Sequence, residues 1–137
     1  MSPGISFDLT THDEAGKQWN FAKKEMRDKA DKLLEETKPA LLVACPFCGP
    51  FSSWMSVNYQ KTETEEVRRK LREALEHLRF ALDLCARQHE RRGLFVFEHP
   101  VAATSRGTRM MATMMAMDGV EVVNFDFCTF GMQTVDN

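Results

Sequence analysis

The sequence predicts an α/β fold, a four-strand, mainly parallel sheet with flanking helices. Three observations carry that prediction. Two short, continuous apolar runs, Ala40–Cys45 and Leu94–Phe97, have the form of strands buried on both faces. Between them lies a long stretch with apolar residues every three or four positions, the period of an amphipathic helix. Strand and helix signals then alternate along the chain, the order that produces parallel strands with right-handed crossovers.

The elements follow in order. Ile5-Ser6-Phe7-Asp8-Leu9 alternates apolar and polar residues and predicts a first strand, followed by a polar, turn-rich stretch to Gly16. Phe21–Thr37 places Phe21, Met26, Ala30, Leu33 and Leu34 near one helical face, with Asn20 as its cap and Pro39 beyond its end. Ala40–Cys45 is the second strand. It runs into Pro46-Phe47-Cys48-Gly49-Pro50-Phe51-Ser52, where two prolines and a glycine enforce a loop. Thr62-Glu63-Thr64-Glu65 has the form of a capping box. The helix behind it carries Val67, Leu71, Leu75, Leu78, Leu82 and Cys85 on one face and stops near Gly93. Leu94–Phe97 is the third strand and delivers Glu98-His99-Pro100 to its end. Thr104 or Ser105 caps a third helix with a methionine stripe (Met110, Met111, Met114, Met115), read as core or as an oligomer contact. Val120–Phe125 is the fourth strand, leading into Asp126-Phe127-Cys128.

Composition bounds the rest. The chain has 137 residues, 43% hydrophobic and 28% charged, which suits one domain over residues 1–137 and excludes a disordered chain. The longest apolar run, Ala40–Phe47, is far short of the roughly 20 residues of a membrane span. No secretory leader is visible at Met1–Thr11, so a cytoplasmic protein is expected. Eighteen basic against 20 acidic residues give a net charge of −2, which lacks the basic surplus usual in a stand-alone nucleic-acid binder.

In open α/β sheets, ligands bind beyond the carboxyl ends of the strands. The loops after the last three strands carry Cys48, Glu98, and Asp126 with Cys128. Glu98 ends an apolar strand, where a carboxylate is costly unless paired or working, although a surface charge is the plain alternative. Cys45-Pro46-Phe47-Cys48 admits a thiol-redox pair, but Gly49-Pro50 keeps a helix from starting at Cys48. Cys45, Cys48, His99 and Cys128 form a metal-ligand alternative that lacks a second closely spaced pair. Cys45 and Cys85 are read as buried, small apolar residues.

Taken together, the loops resemble those of DNA cytosine-5 methyltransferases. Pro46 to Ser52 resembles that family's Pro-Cys-Gln-x-Phe-Ser loop, with Phe47 inserted or replacing a second proline. Glu98 matches the glutamate of its Glu-Asn-Val signature, while His99 and Pro100 depart from it. The whole chain is similar to a divergent environmental, phage and mobile-element group. The shared segments are Ser6–Thr11, Trp19-Asn20-Phe21, Cys48–Ser52, His77–Phe80, Glu98–Pro100 and Cys128–Gly131.

The resemblance implies a Rossmann-like three-layer fragment with Cys48 and Glu98 as the catalytic pair. The Cys48 thiolate attacks C6 of a flipped cytosine, and Glu98 holds the pyrimidine N3 and exocyclic amine. Ser52, His99 and Asp126 contact substrate. Asp8, Trp19, Asn20 and Pro46 lie against S-adenosylmethionine, with Asn20 where an acidic residue is expected. DNA is the implied substrate. The glycine-rich cofactor turn and the target-recognition region are absent from the sequence, so a truncated or divergent enzyme, inactive alone, is expected. An uncovered sheet edge implies a homo-oligomer. The other readings are a small cysteine enzyme of redox or hydrolytic chemistry, and a non-enzymatic metal-binding or oligomerising module.

Overall fold

A computed structural model describes residues 4–52, 55 and 64–131. Among these residues the chain forms α1 (Lys24–Thr37), β1 (Leu41–Ala44), α2 (Thr64–Glu90), β2 (Leu94–Phe97) and α3 (Arg109–Met115). Short 3-10 turns span Gly49–Phe51, Thr104–Gly107 and Phe127–Phe130. The architecture is mixed α/β, as the alternating signals predict.

The sheet departs from expectation. It has two strands rather than four: β1 and β2 pair in parallel, with Leu41 opposite Leu94 and Ala44 opposite Phe97. The stretch Ile5–Leu9 is no strand because its turn chemistry prevails. The Asp8 carboxylate accepts from the Thr10 amide at 2.8 Å and the Thr10 hydroxyl at 2.7 Å, and the Thr11 amide donates to Asp8 O at 3.0 Å. Val120–Phe125 carries no regular structure either.

Both strands bury one face, not two. Leu42, Ala44, Phe95 and Phe97 turn inward against the main core, whereas Leu41, Val43, Leu94 and Val96 stay half or more exposed. No described layer covers that outer face, so a three-layer arrangement is not formed by the described residues.

The main core forms where α2 crosses the sheet. Leu78 and Cys85 are fully buried among Phe51, Ala74, Leu82, Ala103, Met111 and Met114. The methionine stripe is therefore core, as expected, but Leu75 faces outward. A second cluster sets Trp19, Met26 and Ala30 against Phe7, Phe21, Leu33 and Phe80. The α1 face runs Met26, Ala30, Leu34, one residue per turn. The helix starts at Lys24, later than expected, because Asn20 accepts from the Ala22 amide in a turn of its own and Phe21 joins the aromatic cluster. Arg27–Glu76, Arg87–Asp31 and Arg91–Glu35 ion pairs join α1 to α2.

Register is set by one buried side chain. Gln88, 1% exposed, donates from Nε2 to Pro39 O at 2.7 Å and to Leu94 O at 3.2 Å. It thereby holds the entry of both strands to the end of α2. The chain leaves that helix through Arg92, whose φ of 63° is left-handed. Gly93 follows because a Cβ there would meet Gln88 Nε2 at 2.3 Å. The expected cap at Thr62 lies outside the described residues. The expected caps Thr104 and Ser105 are used elsewhere: Thr104 Oγ1 donates to Phe51 O, and Ser105 bonds His99. Thr108 caps α3 instead, accepting from the Met111 amide.

Replacing Gln88 with leucine keeps the bulk and removes the donor that Pro39 O and Leu94 O share. Gln88→Leu is expected to lower unfolding stability by about 1–3 kcal/mol in urea titrations. An unchanged midpoint would show that the strand entries do not need the amide.

Candidate functional site

The parallel pairing decides which groups meet. Because Ala44 pairs with Phe97, the next residues on each strand, Cys45 and Glu98, leave the same end of the sheet side by side. The Glu98 amide donates to Ala44 O at 3.0 Å. Cys45 is exposed, not buried as its place in an apolar run suggests. Its thiol is held above its ordinary pKa, first by partial burial and then by the Glu98 charge, against a stabilising bond from the Glu98 amide. A redox cysteine needs the opposite shift. Cys85 is buried as expected, and burial pushes its thiol up to about 12.

Cys48 stands three residues further along, half-buried, at the start of the 3-10 turn Gly49–Phe51. Two features fix this loop. The Phe47 ring lies so close over Gly49 that a Cβ there would meet Cζ at 2.7 Å and push the exposed ring aside. Phe51, 4% exposed, drives into the main core and anchors the turn. The Phe51 amide donates to Cys48 O at 2.9 Å, and the Ser52 amide to Gly49 O at 3.1 Å. Pro46 and Ser52 are half-buried within the same loop.

The loop after β2 packs against this one. The His99 ring sits 6.2 Å from Phe51 and 5.8 Å from Phe97, centroid to centroid. His99 Nε2 shares a 2.6 Å hydrogen bond with the hydroxyl of Ser105, itself 1% exposed. Its Nδ1 is buried and makes no hydrogen bond. Protonation would place an N–H there without an acceptor, and burial holds the imidazole below its ordinary pKa, aided by Arg106 and opposed by Glu98. His99 is thus a neutral wedge between two rings, held by a buried hydroxyl.

Glu98, His99 and Asp126 line one groove of about 660 Å3, together with Arg106, Asn124 and the inner residues of β2 and α3. The expected substrate-side residues are therefore gathered, with two exceptions. Cys48 and Ser52 share the rim's end of the sheet but lie outside the groove lining. Sequence reading missed Arg106 and the role of Ser105; nothing in their spacing marks them. It also missed the Cys45–Glu98 meeting, which follows once parallel pairing in this register is known.

Of the residues assigned to S-adenosylmethionine, Pro46 stands in the Cys48 loop, while Asp8, Trp19 and Asn20 lie outside the groove lining. Asp8 is engaged by Thr10, and Asn20 by the Ala22 amide. Trp19 is 4% exposed, with Phe7 at 4.4 Å, Phe21 at 6.4 Å and Lys29 Nζ over its ring at 5.5 Å. Among the described residues, no three His, Cys, Asp or Glu side chains are grouped to hold a metal ion; Cys128 sits exposed in the last 3-10 turn. No helix there is long and apolar enough to cross a membrane.

A second imidazole, His77, is also held below its ordinary pKa, first by burial and then by Arg27, with a buried Nε2 that makes no hydrogen bond. Depressed folded-state values mean that both histidines favour the fold above the unfolded pKa of about 6.5 and oppose it as pH falls through the folded values. Unfolding stability is expected to drop as pH falls through the unfolded histidine pKa of about 6.5, and His77→Gln with His99→Gln to flatten that slope in denaturant titrations. Compared with protein-family models, curated proteins and solved structures, the chain finds no match.

Proposed function

We propose that this chain carries the pyrimidine-side chemistry of a cytosine-5 DNA methyltransferase-like protein, with Cys48 as nucleophile and Glu98 as the residue that holds the base. One observation supports it above the others. The Cys48 loop and Glu98 leave adjacent parallel strands at the same end, and Phe51, Thr104 and His99 knit the two loops together. A carboxyl group facing the N3 and amine edge of a cytosine, its O–H donating to N3 and its other oxygen accepting from the amine, leaves C6, across the ring, to a sulfur on the neighbouring loop.

The step balances without a further reactant. The Cys48 thiolate forms a bond to C6, the ring electrons move to C5, and C5 takes a proton from water. Loss of that proton and of the thiolate restores the base. Glu98 hydrogen-bonded at N3 and the amine stabilises the charge that builds on the ring. A base in DNA must first leave the stack.

Asp8, Trp19 and Asn20 do not fit an S-adenosylmethionine site, since their polar atoms or rings are engaged within the fold. Pro46 offers no donor. We therefore confine the proposal to the base.

An oligonucleotide bearing 2-pyrimidinone in place of one cytosine has an electrophilic C6 and traps such a nucleophile. Intact-mass spectrometry is expected to show a one-to-one adduct, absent in Cys48→Ser, retained in Cys45→Ser and reduced at least about tenfold in rate by Glu98→Gln. No adduct, or one that follows Cys45, would overturn the assignment.

Self-association rests on a separate observation, the aliphatic outer face of Leu41, Val43, Leu94 and Val96. Val43 and Val96 are register partners on that face. Light scattering at about 100 μM is expected to show a dimer or larger species for the native chain. Val43→Glu with Val96→Lys, an opposite-charge cross-strand pair, is expected to give a monomer. A native monomer at that concentration rules this reading out.

A further inference from the structure

We infer that residues 120–126 form a strap that closes onto the outer edge of β2 as a third parallel strand and carries Asp126 to the side of Glu98. The Leu94 amide donates to Ala40 O and the Glu98 amide to Ala44 O, each at 3.0 Å. Residues of that parity point their backbone groups at β1, so Phe95 and Phe97 direct theirs to the opposite edge. Among the described residues no strand occupies that edge.

The groove joins this edge to the strap. Leu94–Val101 and Gly119–Asp126 both line this groove of about 660 Å3. The strap sequence, Val-Glu-Val-Val-Asn-Phe, is rich in β-branched and aromatic residues, the composition that suits a strand. Yet it carries no regular structure, and Val122, Val123 and Phe125 are half or more exposed. A strand-forming segment and a strand edge thus face a common space without a ladder between them.

Hinges stand at both ends. Gly119 has a φ of +76° with no atom nearer than 3.9 Å to the place of a Cβ, and Gly131 has a φ of +80°. Either can change backbone conformation at low steric cost. The link from β2 through α3 spans residues 98–119, long enough for a parallel crossover. In a parallel strap the end at Asp126 comes level with Glu98, beside His99 and Arg106. Closure would gather at one rim residues that now line the groove from opposite elements, whatever the substrate.

Backbone hydrogen exchange of the full chain, followed residue by residue by NMR, tests this. The Phe95 and Phe97 amides are expected to exchange about tenfold or more slowly than an open edge allows. Backbone direction alternates along a strand, so at least one of Val122→Pro and Val123→Pro must remove a ladder donor and is expected to abolish that protection. Both sites are exposed, and a native-like thermal melt confirms that the rest of the fold survives. Unprotected Phe95 and Phe97 in the native chain overturn the strap. So does protection that persists in both proline variants, or that grows with protein concentration and so belongs to a second copy.

Discussion

The Gln88 amide is the constraint from which the site geometry descends. Its two hydrogen bonds join the end of a 27-residue helix to the entries of both strands, so β1 and β2 start level. Parallel strands that start level end level. The residues just past their ends, Cys45 and Glu98, are brought side by side by a contact at the other end of the sheet. A buried amide is costly unless satisfied, and here its satisfaction fixes which rungs pair.

Packing then converts level strand ends into a defined rim. Phe51 commits the first loop to the core, Thr104 binds that loop to the turn after β2, and Ser105 holds His99 between two aromatic rings. The cysteine and carboxylate loops are thus supported both from below, by core contacts of Phe51, and by one another, through Thr104 and His99. Cys48 is left half-buried at the start of the turn that Phe51 anchors.

Much of this was legible in the residues. The period of Leu78, Leu82 and Cys85 marked the central helix, and the apolar runs marked both strands of the sheet. What misled was local pattern without its tertiary context. Ile5–Leu9 alternates like a strand, but Asp8 and Thr10 offer the backbone a turn that competes successfully. Val120–Phe125 has strand composition, but no ladder accompanies it among the described residues. Leu41 and Val43 read as doubly buried because an apolar run cannot say whether a second layer exists. At the site, Glu98 was visible as a carboxylate ending an apolar strand. The meeting of Cys45 with Glu98 was hidden, because register depends on Gln88, whose role is set by one contact six residues away and another 49 residues away in sequence.

The four thiols differ in a way that makes the chain report on itself. Cys45, Cys48 and Cys128 are all at least partly accessible, whereas Cys85 is fully enclosed near the C-terminal end of α2 and protonated far beyond neutrality. A small alkylating reagent thus marks three sulfurs on the native molecule and reaches the fourth only when the helix parts from the sheet. The rate of that last labelling is a clock for opening of the core, built in without any added probe.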